Sequence, residues 1–224
     1  MIFRDQETGA PAFIMRRAIS EEYIKIIMDS ALSASGDFIK AGHVMDGETT
    51  TDVRTRDSQV CFFDDPKLSQ TLWSYMTAAN YHMGLRYKIT GHEALQFTQY
   101  KKNGHYDWHI DGDTCHYSAR NFTLEKPKNL QETIEGHLVG TVRKISCSVV
   151  LNDDFEGGEF QTRFNTNDGK DKGKDTSDNM RVQTIKPQAG DVYFFAADQE
   201  HRVKPVTKGT RYSVVVWFAG PPLV

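Results

Sequence analysis

Residues 94–111 read ALQFTQYKKNGHYDWHID. The first seven alternate: Leu95, Phe97 and Gln99 fall on one face of an extended chain, and Gln96, Thr98 and Tyr100 on the other. That is the period of a β-strand. The same texture recurs to the C-terminus, with β-like runs at 144–151, 159–164, 180–185, 191–195 and 211–218. Turn-forming residues separate them, among them Asn152, Asp153, Asp154, Gly157, Gly158, Gly190 and Gly209. Many short strands with such punctuation predict a barrel or jelly roll.

Upstream, the pattern is helical. Ser20 is placed to cap a helix whose first turn carries Glu21 and Glu22, favourable to the helix dipole. Tyr23, Ile26, Ile27 and Ala31 give that helix an apolar face. Asp65 followed by Pro66 starts a second helix, with Leu68, Leu72, Tyr75, Met76 and Ala79 as its inner face. The chain reads as one domain over 1–224, mainly β with N-terminal helices (α+β). A helical part over 1–92 backs a β core over 93–220. Two segments offer little to pack. The stretch 112–142 is mostly polar and reads as a lid or an insertion, and 167–178 is a solvated loop without one apolar side chain.

Composition excludes several classes. The 224 residues are 38% hydrophobic and 25% charged, an ordinary globular mix. Lys and Arg number 27 against 30 Asp and Glu, a net charge of −3 that leaves no basic excess for a nucleic-acid backbone. No apolar run approaches the roughly 18 residues of a membrane-spanning helix, and the N-terminus lacks a basic-then-apolar secretory pattern. Cys61, Cys115 and Cys147 are odd in number and far apart, which argues against a disulfide framework and for a cytoplasmic setting.

The chemistry concentrates after Tyr100. On an extended strand, His109 and Asp111 project to one face, so an imidazole nitrogen and a carboxylate oxygen can reach one metal ion. His201, just past the apolar run 192–197, is the best third ligand. Two His and one carboxylate form the facial triad of non-haem Fe(II) oxygenases. His105 and Asp107 repeat the pattern four residues earlier, and spacing alone does not separate the two pairs. Arg211 opens an otherwise apolar strand, where a lone guanidinium needs a partner. With a turn centred on Val206, it would face His201 across a hairpin and could hold a dicarboxylate in a bidentate pair.

These pieces, in order, resemble the Fe(II)/2-oxoglutarate-dependent dioxygenases, specifically their prolyl 4-hydroxylase-like branch. The resemblance covers roughly 94–218. It is carried by Tyr100, Gly104, His109 and Asp111; by Leu151 and Asn152; by Gly157, Gly158 and Glu159; by Pro187 to Asp191 leading into Tyr193, Phe194 and Phe195; by His201; and by Arg211, Tyr212 and Ser213 running to Trp217. It implies a double-stranded β-helix (a cupin-like jelly roll) and settles the register. A Tyr at the spacing of Tyr100 and an aromatic at that of Tyr106 mark His109, not His105, as the metal ligand. The implied ligands are therefore His109, Asp111 and His201. Arg211 would anchor the 5-carboxylate of 2-oxoglutarate, and Tyr100 would line that pocket. Fe(II), 2-oxoglutarate and O₂ are implied, with ascorbate as reductant. One departure is Val149 and Val150, where some relatives place a Tyr that helps hold 2-oxoglutarate.

Arg143, at the site mouth, and Arg54, with Arg56 beside it, are candidate substrate-binding residues. Trp108 and Trp217 neighbour site residues in their strands and are expected to pack on the other face. The function implied is hydroxylation of an unactivated C–H, foremost of a prolyl residue in a peptide or protein. The alternatives are a free amino acid or small metabolite, with Asp113 pairing its ammonium, and a non-catalytic metal-binding barrel.

Overall fold

Both helices form where their caps predict. In this computed structural model, which describes residues 2–3, 12–33, 38–45, 48–112, 138, 140–165 and 180–223, α1 spans Glu21–Ser33 and α2 spans Pro66–His82. Cys115, Asp113, most of the 112–142 connection and the 167–178 segment lie outside the described residues. Ser20 Oγ accepts from the Tyr23 amide at 3.3 Å. The Asp65 carboxylate accepts from the Leu68 amide and from the Tyr23 hydroxyl, each at 2.9 Å, so one cap ties both helices together. Helix α2 buries Leu68, Leu72, Met76 and Ala79 as expected. Helix α1 buries Ile24, Ile27 and Ala31, whereas Ile26 is 54% exposed. The 3–4 spacing from Ile24 sets the buried stripe and turns Ile26 outward.

The strands, in chain order, are β1 (Ile2–Phe3), β2 (Phe13–Met15), β3 (Ile39–Lys40), β4 (His43–Met45), β5 (Glu48–Thr50), β6 (Arg56–Asp57), β7 (Gln59–Phe63), β8 (Gly91–His92), β9 (Leu95–Tyr100), β10 (His105–His109), β11 (Val142–Val150), β12 (Glu156–Gly157), β13 (Phe160–Asn165), β14 (Met180–Ile185), β15 (Val192–Ala196), β16 (His201–Val203), β17 (Val206–Lys208) and β18 (Arg211–Gly220). A nine-stranded sheet runs β1-β2-β15-β11-β18-β9-β7-β3, with β8 also on β18; a five-stranded sheet runs β14-β13-β16-β10-β6. Every pairing in them is antiparallel, and the result is the expected jelly roll. The stretch 1–92 is not only helical: β2, β3, β7 and β8 join the larger sheet and β6 the smaller. These strands are two to five residues long, too short for alternation to show in sequence.

Alternation on the long strands sorts residues between two layers. Along β18, Val214, Val216 and Phe218 face the helices in the larger core, while Arg211, Ser213, Val215 and Trp217 face the space between the sheets. Along β11, Ile145, Cys147 and Val149 face the helices and Ser148 the cavity. Val150, Tyr193, Phe195, Phe160 and Val203 close one end of the sandwich as a second core. Leu72 sits fully buried in the helix–sheet layer, so Leu72→Ala should lower unfolding stability by about 2–5 kcal/mol, read by denaturant titration; a loss below about 1 kcal/mol would show that α2 is not part of the cooperative core.

His201 and Arg211 do not face each other across a hairpin. Strand β16 pairs with β10 and β13 in the smaller sheet, β18 with β9 and β11 in the larger. Val206 is not a turn centre; it starts β17, which pairs with β12. The two residues meet across the sandwich, as walls of one cavity. Among the described residues, no helix is long and apolar enough to cross a membrane.

Candidate metal centre and binding cavity

His109 ends β10 and His201 starts β16, and the two are direct cross-strand partners. A bulge between Tyr106 and His109 shifts the register there, so that Tyr106 pairs with Val203. The bulge decides between the two His-x-Asp pairs. It puts Tyr106 and His109 on the cavity wall and turns His105 and Asp107 away from it. The His105 ring nitrogens contact the Asn103 and Arg54 carbonyls at 3.0 and 3.1 Å. The exposed Asp107 accepts from the Trp108 amide at 2.8 Å.

Asp111 lies two residues past the strand end. Its amide and that of Gly112 both donate to the Ala197 carbonyl, at 2.9 and 3.0 Å. This clamp returns the carboxylate to the histidines: His109 Nε2 is 3.7 Å from Oδ1, and His201 Nε2 is 3.6 Å from Oδ2. Potential donor atoms of His109, Asp111 and His201 lie within 4.8 Å of one another. His109 Nδ1 sits 2.7 Å from the Asp107 carbonyl, and His201 Nδ1 2.9 Å from that of Gln199. A carbonyl only accepts, so each Nδ1 carries the proton and each Nε2 presents a lone pair to the common point. Burial, reinforced by His201, pushes the His109 pKa down to about 3. Burial alone would raise the Asp111 carboxyl, but His201, His109, Arg143 and the Ser146 hydroxyl outweigh it and hold it below the ordinary value. A neutral imidazole beside an ionised carboxylate is the state that a divalent cation requires.

The cavity around this cluster holds about 710 Å³. Tyr100 and Arg211, backbone partners on β9 and β18, line its inner part. Arg211 is 1% exposed. Its Nη1 donates to Ser213 Oγ at 3.0 Å, and its Nε and Nη2 have no hydrogen-bond partner among the described residues. Two unsatisfied donors on one guanidinium are the fork that takes a carboxylate bidentately. Burial lowers the Arg211 pKa, against the pull of Tyr100 and Tyr193, yet arginine stays charged. Gly158, at φ +63°, leaves room for it; a Cβ there would stand 3.1 Å from Arg211 Cδ.

Arg143 lines the cavity but is already engaged. Its Nε and Nη2 donate to the two oxygens of the buried Glu93 carboxylate at 2.6 and 2.7 Å, and its Nη1 to the Asp111 carbonyl at 3.2 Å. Its guanidinium lies 3.8 Å over the Trp217 ring. It is neither a solvated strand end nor an open substrate anchor; it supports Asp111. Arg54 is not on the cavity wall: its side chain is 88% exposed and pairs with Asp52 at 2.8 Å. Arg56, two residues on and in strand β6, is the one that lines it. Trp108 and Trp217 line the cavity too, contrary to the expectation of packing elsewhere. Trp217 shares its face of β18 with Arg211, an even separation that the alternation already contains. Ser146, absent from the sequence-based site, donates to Asp111 Oδ2 at 2.6 Å. No motif marks it, because its role comes from β11 lying beside the metal cluster. Val149 and Val150 pack in the two cores, and Ser148 of that strand faces the cavity.

Residues 95–219 match the 2OG-Fe(II) oxygenase superfamily. The chain belongs to that superfamily. Membership implies Fe(II), 2-oxoglutarate and O₂, and the donor set above fits them: two imidazoles and a carboxylate for the metal, an unsatisfied arginine fork for the dicarboxylate. Among proteins similar to this oxygenase, prolyl 3-hydroxylase 2 of Homo sapiens is 40% identical over 85 residues, 37% of this chain and 10% of that protein. A PKHD-type hydroxylase of Pseudomonas fluorescens is 27% identical over 120 residues, 53% of this chain and 39% of that one. The oxygenase thus covers well under half of these relatives. Its fold is similar to a Pseudomonas putida prolyl-4-hydroxylase (TM-score 0.59, 15% identity, 93% of this chain and 91% of that one). It also matches a viral collagen prolyl hydroxylase from Paramecium Bursaria Chlorella virus-1 (TM-score 0.61, 15% identity, 95% and 97%).

Proposed function

We propose that this chain is an Fe(II)- and 2-oxoglutarate-dependent dioxygenase that hydroxylates a prolyl residue in a peptide or protein, forming succinate and CO₂. The observation that carries the reading is the meeting, in one cavity, of the His109–Asp111–His201 cluster with the unsatisfied donors of Arg211. In this reading His109 Nε2, His201 Nε2 and the Asp111 carboxylate hold the iron. Arg211, beside Tyr100, holds the far carboxylate of 2-oxoglutarate. The bound iron supplies the O₂ activation that breaks an unactivated C–H bond, with ascorbate as the external reductant. The protein's own residues position and enclose. Ser146 and Arg143 fix Asp111; Tyr106 stacks on His109 at a centroid distance of 3.4 Å and Phe195 packs tilted, at 56°, against His201 at 4.5 Å, which holds both rings in place.

Two features favour a peptide over a free amino acid. Relatives 38–40% identical to part of this chain are named prolyl 3-hydroxylase 2. Among the described cavity-lining residues, Asp111 is the sole carboxylate, and as a metal ligand in this reading it does not pair a free ammonium group. A purely structural metal site, the non-catalytic alternative, gives no reason for the open Arg211 fork. The test is succinate release from 2-oxoglutarate with Fe(II) and ascorbate, with mass spectrometry of a proline-containing peptide. Peptide-stimulated succinate and a gain of one oxygen on proline are expected; stoichiometric hydroxylation of free L-proline, with none of the peptide, would overturn the peptide reading.

A further inference from the structure

We propose that the peptide taken by this enzyme is acidic, presenting carboxylates beside the residue that is hydroxylated. The inference rests on the peptide reading above and adds a charge to it. Three arginines line the cavity. Glu93 neutralises Arg143, and Arg211 faces the pocket assigned to the co-substrate. Arg56 remains.

Arg56 is 8% exposed, and the two hydrogen bonds that its guanidinium donates go to uncharged acceptors. Nε donates to Ser58 Oγ at 3.0 Å and Nη1 to the Gly42 carbonyl at 2.9 Å. Its guanidinium lies 4.5 Å over the Tyr106 ring, which in turn stacks on His109. No carboxylate among the described residues forms an ion pair with it. A buried cation without a counter-ion is costly, and an anion brought by a ligand relieves that cost. The site therefore has cationic groups for two anions, one at Arg211 and one on the His109 side at Arg56, and the co-substrate's far carboxylate occupies only the first.

The second observation lies around the corner of the same strands. A cleft of about 400 Å³ is lined by Lys40, Lys101 and Lys102, with Asp57 as its one acid. None of the three lysines is ion-paired among the described residues. Ile39 walls the cavity and Lys40 the cleft; Arg56 walls the cavity and Asp57 the cleft. A chain leaving the cavity over edge strand β3 passes the exposed Ile39 and meets Lys40. On a protein of net charge −3, this cationic track is local rather than general. Charge complementarity of that kind selects the partner and speeds encounter.

The test uses peptides of one length with a single central proline, flanked by Asp and Glu, by Gln, or by Lys. Binding of fluorophore-labelled peptide to the iron-free protein is read by anisotropy, and KM by peptide-dependent succinate. The acidic peptide should bind about tenfold more tightly than the Gln peptide, the scale of one or two close charge pairs, and the advantage should shrink with added salt. Arg56→Gln should erase most of that preference. Lys101→Glu combined with Lys102→Glu, at an exposed turn where folding is not at stake, should weaken the acidic peptide selectively. If acidic and Gln peptides bind and turn over alike, the inference falls and the prolyl reading stands. If no proline peptide of any charge gains oxygen while 2-oxoglutarate is consumed, the peptide reading fails and takes this inference with it.

Discussion

His109→Ala, Asp111→Ala and His201→Ala proteins are each expected to lose turnover completely and to bind iron far more weakly than wild type. Each removes one of three donors that converge within 4.8 Å, and the remaining two leave a divalent cation held largely by water. The loss should exceed the roughly 10–100-fold that removal of a supporting partner typically costs. Ser146→Ala, which deletes the 2.6 Å bond to Asp111 Oδ2, should fall inside that smaller range. His105→Ala should leave iron binding near wild type, since its ring nitrogens contact only the Asn103 and Arg54 carbonyls. Anaerobic calorimetric titration with Fe(II), or with Mn(II) as a redox-stable surrogate, reads all five. Iron lost from His105→Ala but kept by His109→Ala would show that the metal sits on the other His-x-Asp pair.

That contrast also marks how far sequence could be read. The long strands were legible because alternation over six or more residues is hard to imitate, and 180–185 is recovered as β14 without change. The cap at Asp65 was legible because capping is local chemistry. Whatever depended on a register was not. The bulge before His109 makes the periodicity of 105–111 misleading, since four residues at even spacing do not share a face. The presumed hairpin between His201 and Arg211 failed for a related reason. Short β17 takes Val206 out of the turn and pairs it beyond the local segment, at Gly157. Arg54 and Arg56 could not be told apart, because only strand β6, two residues long, decides which guanidinium turns inward. Ser146 and Glu93 carry no motif at all; they matter through what packs beside them in three dimensions.

Arg211 offers the other large effect, and it separates function from stability. Its Nε and Nη2 are buried without partners among the described residues, so the folded protein bears a desolvation cost that the Ser213 hydrogen bond and the Tyr100 ring offset only in part. Arg211→Met keeps most of the volume and removes both the charge and the orphan donors. It should therefore melt no lower than wild type, because exchanging a buried charge for a well-packed apolar side chain is often neutral or stabilising. The same exchange should cripple the co-substrate site. Losing a desolvated charge pair to a carboxylate costs about 2–5 kcal/mol, which at about 1.4 kcal/mol per tenfold is a rise in the 2-oxoglutarate KM of roughly 30-fold to several thousandfold. Iron binding, measured without 2-oxoglutarate, should be unaffected. Arg211→Lys should recover part of the loss, since an ammonium keeps the charge but not the fork. An unchanged KM in Arg211→Met would remove this arginine from the co-substrate pocket. A sharply lowered melting temperature with little change in KM would mean that Arg211 is a structural charge whose partner lies outside the described residues.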